Sequence, residues 1–488
     1  MNGKPIADVI VSVNDYAVVT DIDGIYHLSK IKKDDLIFYH KIGYQDKYLH
    51  PTNHFRQIVL EKKMVEVEGY SVIENHHEHV SLKSSDKLVI STENRQVNDA
   101  AELLKGYAGI KIKGSELLGN KRTISLSGNK SKHTLIMLDG IALNMNGQDF
   151  DISTIPSGII DKIEIIRNNA GAIGGAGAIG GIVNIITKRK LDYVADKGKR
   201  LFITAKSSVD MGSFSLKKMK AQLSVSTPAV QSIMMYGKSS AENDFTYYNL
   251  TTKNQEIRKN NGSEIVDASI MLNTHYKDLN AKYNLIYQDY YKELPGRIGT
   301  LTIFDKCNKT GISSKQYIDL TYKYKAFVFQ TDLYLNNEES TYDNSKSTVP
   351  GEVSDTDFSK QGAKISVSYN KLNFLLWQIG SEYNLQKFKY HPHSSSIFDP
   401  GINKVMENYA AFNSMQMQWD FCPVEYQLAF NARYDMPQRS DEVDFSAEAS
   451  YRADGKIVYQ NWFDLILGGG FGDSYQLPSF YDLHWKDG

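Results

Sequence analysis

The chain lacks any run of about 18 or more apolar residues, and its mean hydropathy is −0.40. That excludes a membrane-spanning helix. It leaves a transmembrane barrel open, because barrel strands alternate and escape hydropathy averages. Cysteine is nearly missing: Cys307 and Cys422 lie far apart in different segments, so neither a disulfide nor a redox or metal spacing is expected. No excess of one charge exists either, with 56 Lys and Arg against 57 Asp and Glu, scattered along the chain, which removes the electrostatic case for nucleic acid. No nucleophile, base and orienting group, and no carboxylate pair, stand at an interpretable spacing, so an enzyme is not expected. The cluster His76, His77, Glu78, His79 is too contiguous for a metal site, since adjacent side chains point to different sides and HExxH spacing is lacking. Acidic outer segments carry no spaced calcium-loop motif, and no cofactor site is expected.

Tyrosine is abundant, 31 residues against 20 Phe, which suits an apolar ring with a wet tip at a membrane boundary. From about Leu201 the apolar period is two. Ile318, Leu320, Tyr322 and Tyr324 share one face, against Asp319, Thr321, Lys323 and Lys325 on the other. Phe327, Phe329, Leu333 and Leu335 likewise oppose Gln330, Asp332 and Asn336; Leu428, Phe430, Ala432 and Tyr434 oppose Gln427, Asn431, Arg433 and Asp435. Phe445, Ala447, Ala449 and Tyr451 oppose Asp444, Ser446, Glu448, Ser450 and Arg452. Short joins are expected near Thr227 to Pro228, Lys277 to Asp278, Lys325 to Ala326, Asn370 to Leu372, Asp420 to Pro423 and Ala453 to Lys456. Longer polar stretches, Ser239 to Glu264, Asp289 to Lys315, Asn337 to Phe358, Phe388 to Lys404 and Asp435 to Asp441, fall between them. That parity of short turns and long loops, broken only by a short opening outer loop near Asp210 to Ser213, belongs to outer-membrane barrels. About thirteen strands are expected, against about 22 in plugged transporters.

Ahead of the strands stand Asp99 to Ile112 (DAAELLKGYAGIKI), Thr134 to Gly140 (TLIMLDG), Ile159 to Arg167 (IIDKIEIIR) and Gly171 to Thr187 (GAIGGAGAIGGIVNIIT). In this order, with a barrel following, they resemble the plug domain of TonB-dependent outer-membrane receptors. Its structural motif falls on Asp139, Gly140, Glu164, Arg167, Gly177, Gly180, Gly181 and Asn184. Asn168 and Asn169 stand where that family usually has Gly-Pro, Ile173 where it has Tyr, and Ser127 where Arg commonly precedes Gly128. Gly175 to Gly180 also spell GxGxxG, but a dinucleotide fingerprint needs a helix to follow. Ile182 to Thr187 are β-branched apart from Asn184 and therefore strand-like.

Residues up to about Leu60 read as short strands: Val9, Val11 and Val13 share a face, and Thr20 to Tyr26 resembles a hairpin with its turn at Asp23 and Gly24. With Ile42, Gly43 and Tyr44, this resembles the carboxypeptidase-regulatory-like domain that precedes Bacteroidetes-type receptors; the name implies no peptidase. Within the polar connector that follows, Val65, Glu66, Val67, Glu68 and Gly69 are similar to the TonB box, an extended segment suited to strand pairing with a periplasmic partner. The expected fold is all-β with a small α/β plug. A transthyretin-like sandwich spans 1–62, a linker with the box 63–82, the plug 83–192 and an incomplete antiparallel transmembrane β-barrel 193–488. The opening Asn2, Gly3, Lys4, Pro5 has no signal peptide and reads as already inside a domain, so a fragment is expected. Leu477 to Trp485 (LPSFYDLHW) resembles a segment internal to the family, and Asn243 to Phe245 and Glu293 to Gly296 look like its outer-loop words.

The resemblance implies a bacterial outer-membrane active transporter, driven by TonB with ExbB and ExbD, for a small-molecule ligand. Leu143, Asn144, Met145, Asn146, Gly147, Gln148 and Asp149, with Asp151 to Pro156, resemble the plug apex of cobalamin receptors, and Asn144, Asn146 and Gln148 either bind an amide-rich ligand or only solvate a turn. Cobalamin is thus the expected cargo, a ferric siderophore or haem the alternative, and a surface binding or adhesion protein a reading from another class.

Overall fold

The structure is a computed structural model describing residues 9–13, 16–21, 23–28, 31, 35–40, 47–51, 58–60, 87–91, 99–188, 201–296, 306–348, 351–372, 374–393, 401–421, 424–439, 446–460, 464–480 and 482. Two compact units divide the chain, Met1–Glu74 and Asn75–Gly488. The candidate TonB box, the histidine cluster, Cys422 and Ile42 to Tyr44 lie outside the described residues.

In the first unit, β1 (Ile10–Val13), β2 (Tyr16–Val19), β3 (Ile37–His40) and β4 (Lys47–Leu49) form an antiparallel sheet in the order β2-β1-β3-β4. Val9, Val11 and Val13 bury one face with Ile37, Tyr39 and Leu60. In the expected hairpin turn the positive φ belongs to Gly24 and not Asp23; the Asp21 carboxylate accepts the N–H groups of Asp23 and Ile25 instead.

The plug opens the second unit with β5 (Leu88–Ser91), α1 (Ala100–Leu103), β6 (Ile110–Lys113), β7 (Thr123–Leu126), β8 (Thr134–Leu138), β9 (Ile141–Ala142), β10 (Ile160–Arg167), α2 (Gly171–Gly174) and β11 (Gly181–Thr187). Its five-stranded sheet runs β5-β10-β11-β8-β9, with β8 and β11 parallel, and β6 and β7 form a separate ribbon. Asp99 caps α1 by accepting from Ala101 N and Glu102 N, and Arg122 pairs with its carboxylate. Burial nevertheless pushes the Asp99 carboxyl above the usual range. A continuous apolar core, including Ile90, Leu103, Leu126, Ile163, Val183 and Ile185, fills the plug. A strand, β11, follows the glycine-rich run, as its β-branched residues require.

The wall consists of β12 (Phe202–Gly212), β13 (Leu216–Ser226), β14 (Val230–Ala241), then a small hairpin, β15 (Phe245–Asn249) and β16 (Asn254–Arg258), in the first long excursion. It continues with β17 (Ser263–Tyr276), β18 (Leu279–Glu293), β19 (Asn308–Tyr324), β20 (Phe327–Asp343), β21 (Val353–Tyr369) and β22 (Leu375–Pro392). The last strands are β23 (Ile402–Phe421), β24 (Val424–Arg439), β25 (Glu448–Gln460) and β26 (Asp464–Gly472). Omitting the hairpin, thirteen strands pair in chain order into one sheet with β12 and β26 at its edges. Two corrections follow from these limits. The expected turn at Ala453 to Lys456 is the middle of β25, where Asp454 pairs with Arg452 and the ladder runs through to β24 and β26. The strands also continue several residues into the stretches read as loops, so that β18 to β22 outreach their apolar segments.

Burial in the wall is inverted relative to an ordinary core. Leu333 is 40% exposed while its neighbour Asp332 is 6% exposed, and the same alternation holds for Ile318, Leu320 and Tyr322 against Asp319 and Thr321. Apolar side chains face out and polar ones face in, which is the wall of a membrane barrel. Outward positions of β20 stay apolar or weakly polar from Phe327 to Leu335 and then become Asn337 and Glu339. Those first nine residues cover ~30 Å of strand, close to the ~25 Å apolar band once tilted by about 40°. Exposed Tyr276, Tyr324, Phe327, Trp377 and Phe421 ring the short-turn end, as aromatic side chains do at a membrane boundary. Among the described residues no helix is long and apolar enough to cross a membrane.

The depth profile makes a prediction. Leu333→Arg, at mid-band, should destabilise the folded wall by about 2–4 kcal/mol, and Asn337→Arg by no more than about 1 kcal/mol. Equilibrium unfolding in lipid vesicles measures both; equal costs would place the band elsewhere.

Candidate functional site: the plug seated in the wall

The Leu138-Asp139-Gly140 turn joins plug to wall. Asp139, at φ 49°, accepts from Thr187 N at 2.9 Å and Thr187 Oγ1 at 2.6 Å, holding the end of β11. The Oδ2 that accepts the Thr187 hydroxyl also takes Lys282 Nζ from β18 at 2.7 Å and Asn284 Nδ2 at 3.3 Å. Asn184 sits on β11, beside β8, and its Oδ1 accepts Gly140 N at 2.9 Å. Glu164, fully buried on β10, is balanced by Lys87 at 3.2 Å and Lys162 at 3.8 Å. Arg167 donates to the Ala108 carbonyl at 2.8 Å.

After β10 the chain turns through Asn168 and Asn169 at φ 56° and 40°, a conformation that asparagine tolerates. Arg452 of β25 donates to the carbonyls of Arg167, Asn168 and Asn169, so the wall grips this corner. Gly177 N donates to the Tyr475 carbonyl at 2.9 Å and Gly180 N to the His133 carbonyl at 2.7 Å. Gly181 is irreplaceable on steric grounds: at φ 126°, a Cβ would lie 2.2 Å from the Ile166 oxygen.

The apex loop lies under the 473–480 segment that follows β26. Leu143 is part of the plug core. Asn144 is engaged internally, its Oδ1 accepting Ile136 N at 2.7 Å and its Nδ2 donating to the carbonyls of Thr134 and Gln148. Lys360 of β21 binds the carbonyls of Ala142 and Asn144 at 2.9 and 3.1 Å. Met145 packs into a cluster with Phe388, Met406, Leu477 and Phe480. Asn146 Nδ2 approaches Met406 Sδ, and a Cβ on Gly147 would lie 2.5 Å from Ser479 N. Gln148 Nε2 and Asp149 Oδ1 are buried without partners, while the Asp149 carbonyl accepts from Lys121.

Between this loop and the wall is a polar cavity of about 40 Å³, lined by Asn146, Lys360, Glu382, Asn408, Arg433 and Gln476 among others. Arg433 pairs with Glu382 at 3.1 Å and Asp435 at 2.8 Å, and Asn408 donates to Asp435. Burial, with the Asp435 charge added, holds the Tyr475 hydroxyl far above its usual range. Asn408 Oδ1 and Gln476 Oε1 have no partner. Among the described residues no three His, Cys, Asp or Glu side chains are placed to hold a metal ion. Lys282, Lys360, Arg433 and Arg452 have sequence signals only as polar positions on alternating strands; their meeting with the plug depends on barrel curvature.

A plug of mixed strands fixed against the polar inner face of an oily-outside wall defines a plugged outer-membrane receptor. Residues 90–182 match the family model for the TonB-dependent Receptor Plug Domain. The plug region is thus that of the TonB-dependent receptors, and the wall has the fold of an outer-membrane β-barrel. Over 121 residues it is 34% identical to a vitamin B12 transporter BtuB of Vibrio vulnificus strain YJ016, covering 24% of this chain and 20% of that protein. The counterpart in strain CMCP6 is 32% identical over 95 residues, covering 20% and 16%. Among solved structures, the copper transporter OprC matches with TM-score 0.64 at 12% identity, covering 82% of this chain and 65% of that one. The FrpB iron transporter of Neisseria meningitidis matches with the same TM-score and identity, covering 82% and 66%. The siderophore receptor PirA of Acinetobacter baumannii matches with TM-score 0.62 at 15% identity, covering 82% and 62%. The chain thus spans somewhat less than two thirds of these solved chains and a fifth or less of the curated relatives it matches.

Two outcomes test this geometry. Gly181→Ala should cost the plug at least about 1–3 kcal/mol in backbone strain. Asn144→Ala should cost about 1–3 kcal/mol by orphaning buried backbone groups. Urea-dependent proteolysis of the plug measures both; an Asn144→Ala plug of unchanged stability would mean that the side chain is not a structural brace.

Proposed function

We propose that this chain is the plug-bearing part of an active transporter that carries a scarce nutrient across the outer membrane. The observation that carries the reading is the seated plug, which blocks the lumen of a lipid-facing wall through buried, polar contacts. Transport has to move that obstruction, and no energy source lies outside the inner membrane. In this reading TonB, energised by ExbB and ExbD, binds Val65, Glu66, Val67, Glu68 and Gly69 and pulls on the plug. The proposed domain limits are 1–62, 63–82, 83–192 and 193–488.

Cobalamin is the favoured cargo. Support comes from the apex words LNMNGQD and DISTIP and from the partial similarity of the chain to vitamin B12 transporters. With Asn144 engaged internally, ligand contact at the apex would fall to Asn146, Gln148 and Asp149, beside Gln476. An iron chelate is the second reading, supported by a fold shared with iron and siderophore receptors. Nothing in either reading calls for catalysis.

Deleting Val65 to Gly69 from the full-length protein should abolish uptake while leaving outer-membrane level and ligand binding intact. Growth of a deletion strain on limiting cobalamin, compared with limiting iron, decides the cargo; uptake surviving the five-residue deletion would remove the box assignment.

A further inference from the structure

One transverse row of the inner wall is charged across five consecutive strands. Lys282 on β18 is registered with Asp319 on β19, Asp319 with Asp332 on β20, Asp332 with Lys364 on β21, and Lys364 with Glu382 on β22. Directly opposed side chains on one face have Cβ atoms about 4.5–5.5 Å apart, so Asp319 and Asp332 form a like-charge pair, and both are buried. Two lysines flank the pair, yet the plug draws on both. Lys282 Nζ binds Asp139 at 2.7 Å and the Thr187 carbonyl at 3.4 Å, and Lys364 Nζ reaches the Gly140 carbonyl at 3.4 Å. Glu382, at the end of the row, is occupied by Arg433.

Two further features indicate what neutralises the pair. Asp319 and Asp332 oppose each other directly across β19 and β20, and Gln330 Nε2 donates to both carboxyl groups, at 3.1 and 3.0 Å, so two buried carboxyls share one donor, a crowding that a proton on one of them relieves. The remaining Asp319 oxygen accepts from Thr321 Oγ1 at 3.1 Å. Independently, Asn284 Oδ1 is buried without a partner and lines the same void of about 10 Å³ as Asp319, Asp332 and Lys282. Of the other titratable groups lining this void, Tyr317 is bonded to Asn336 and Asp139 to Lys282 and Thr187.

We propose that Asp319 and Asp332 hold one proton between them while the plug is seated, and that withdrawal of the plug frees Lys282 and Lys364 to neutralise the pair and expel that proton. The seated state then binds one proton more than the released state. Seating is therefore strengthened as pH falls and weakened as pH rises, by up to about tenfold in the seating equilibrium per pH unit across the titration. The site depends on the seated plug and not on the cargo, so it stands or falls separately from the choice of cobalamin or iron chelate.

The test uses the full chain in lipid vesicles, with Cys307 and Cys422 replaced by Ser and a spin label at Leu118→Cys, where the plug meets Asn243 of the wall, reporting plug release by its mobility in a urea titration. Between about pH 5 and pH 9, the urea midpoint should fall with rising pH, and Asp332→Asn and Asp319→Asn should each flatten that dependence. In parallel, an infrared band of a protonated carboxyl at about pH 7 should be present in the unsubstituted protein and lost in both variants. Should a variant fail to fold, the other variant and the unsubstituted protein still decide. A midpoint independent of pH, a dependence that persists in the folded variants, or a band unchanged by substitution would overturn the proposal.

Discussion

Polar groups on the inside of the wall need partners once water is excluded, and the plug supplies them. A lumen without a plug would be wet, and inward Lys, Arg, Asp and Asn would be hydrated; with the plug seated they meet protein instead. Lys282, Lys360, Lys364 and Arg452 all end on plug oxygens. The wall and its obstruction are thus one polar network, bounded outside by lipid and inside by the apolar core of the plug.

The same requirement explains why the hydrophobic effect acts twice in this molecule, in opposite directions. Within the plug, Ile90, Leu126, Ile163 and Ile185 leave water for a protein interior. Along the wall, Leu333, Ile318 and Phe430 leave water for lipid, and backbone polar groups are satisfied strand to strand. Charged outward residues of β20 to β22 begin where these strands rise beyond the oily band, at Glu339, Asp357 and Lys387, the first two in register with each other and with Lys389.

Much of this was legible in the residues. Period-two alternation specified the two faces of each strand and about thirteen strands, because each side chain's side follows from parity alone. The plug words specified the turn at Asp139 and the strand after the glycines. Other features were hidden. The Ala453 to Lys456 stretch reads as a turn because Asp454-Gly455 is a good local turn signal, yet ladders on both sides and the Arg452 pair override it. Strand ends were misplaced because above the lipid band alternation of polarity ceases while pairing continues. Asn144 looked like a surface hydrogen-bonder because an amide's partners, here the backbone of Ile136, Thr134 and Gln148, leave no mark in sequence. Contacts between wall and plug, separated by more than a hundred residues, have no local signature at all.

Most of the wall's cationic grip closes on peptide oxygens: those of Ala142 and Asn144 for Lys360, of Gly140 for Lys364, and of residues 167–169 for Arg452. A carbonyl is common to every amino acid, so the fit is indifferent to which side chains the stopper carries at those points. The apex can therefore diversify in chemistry, and a homologous stopper could be grafted into the same cylinder, provided its backbone traces the same path.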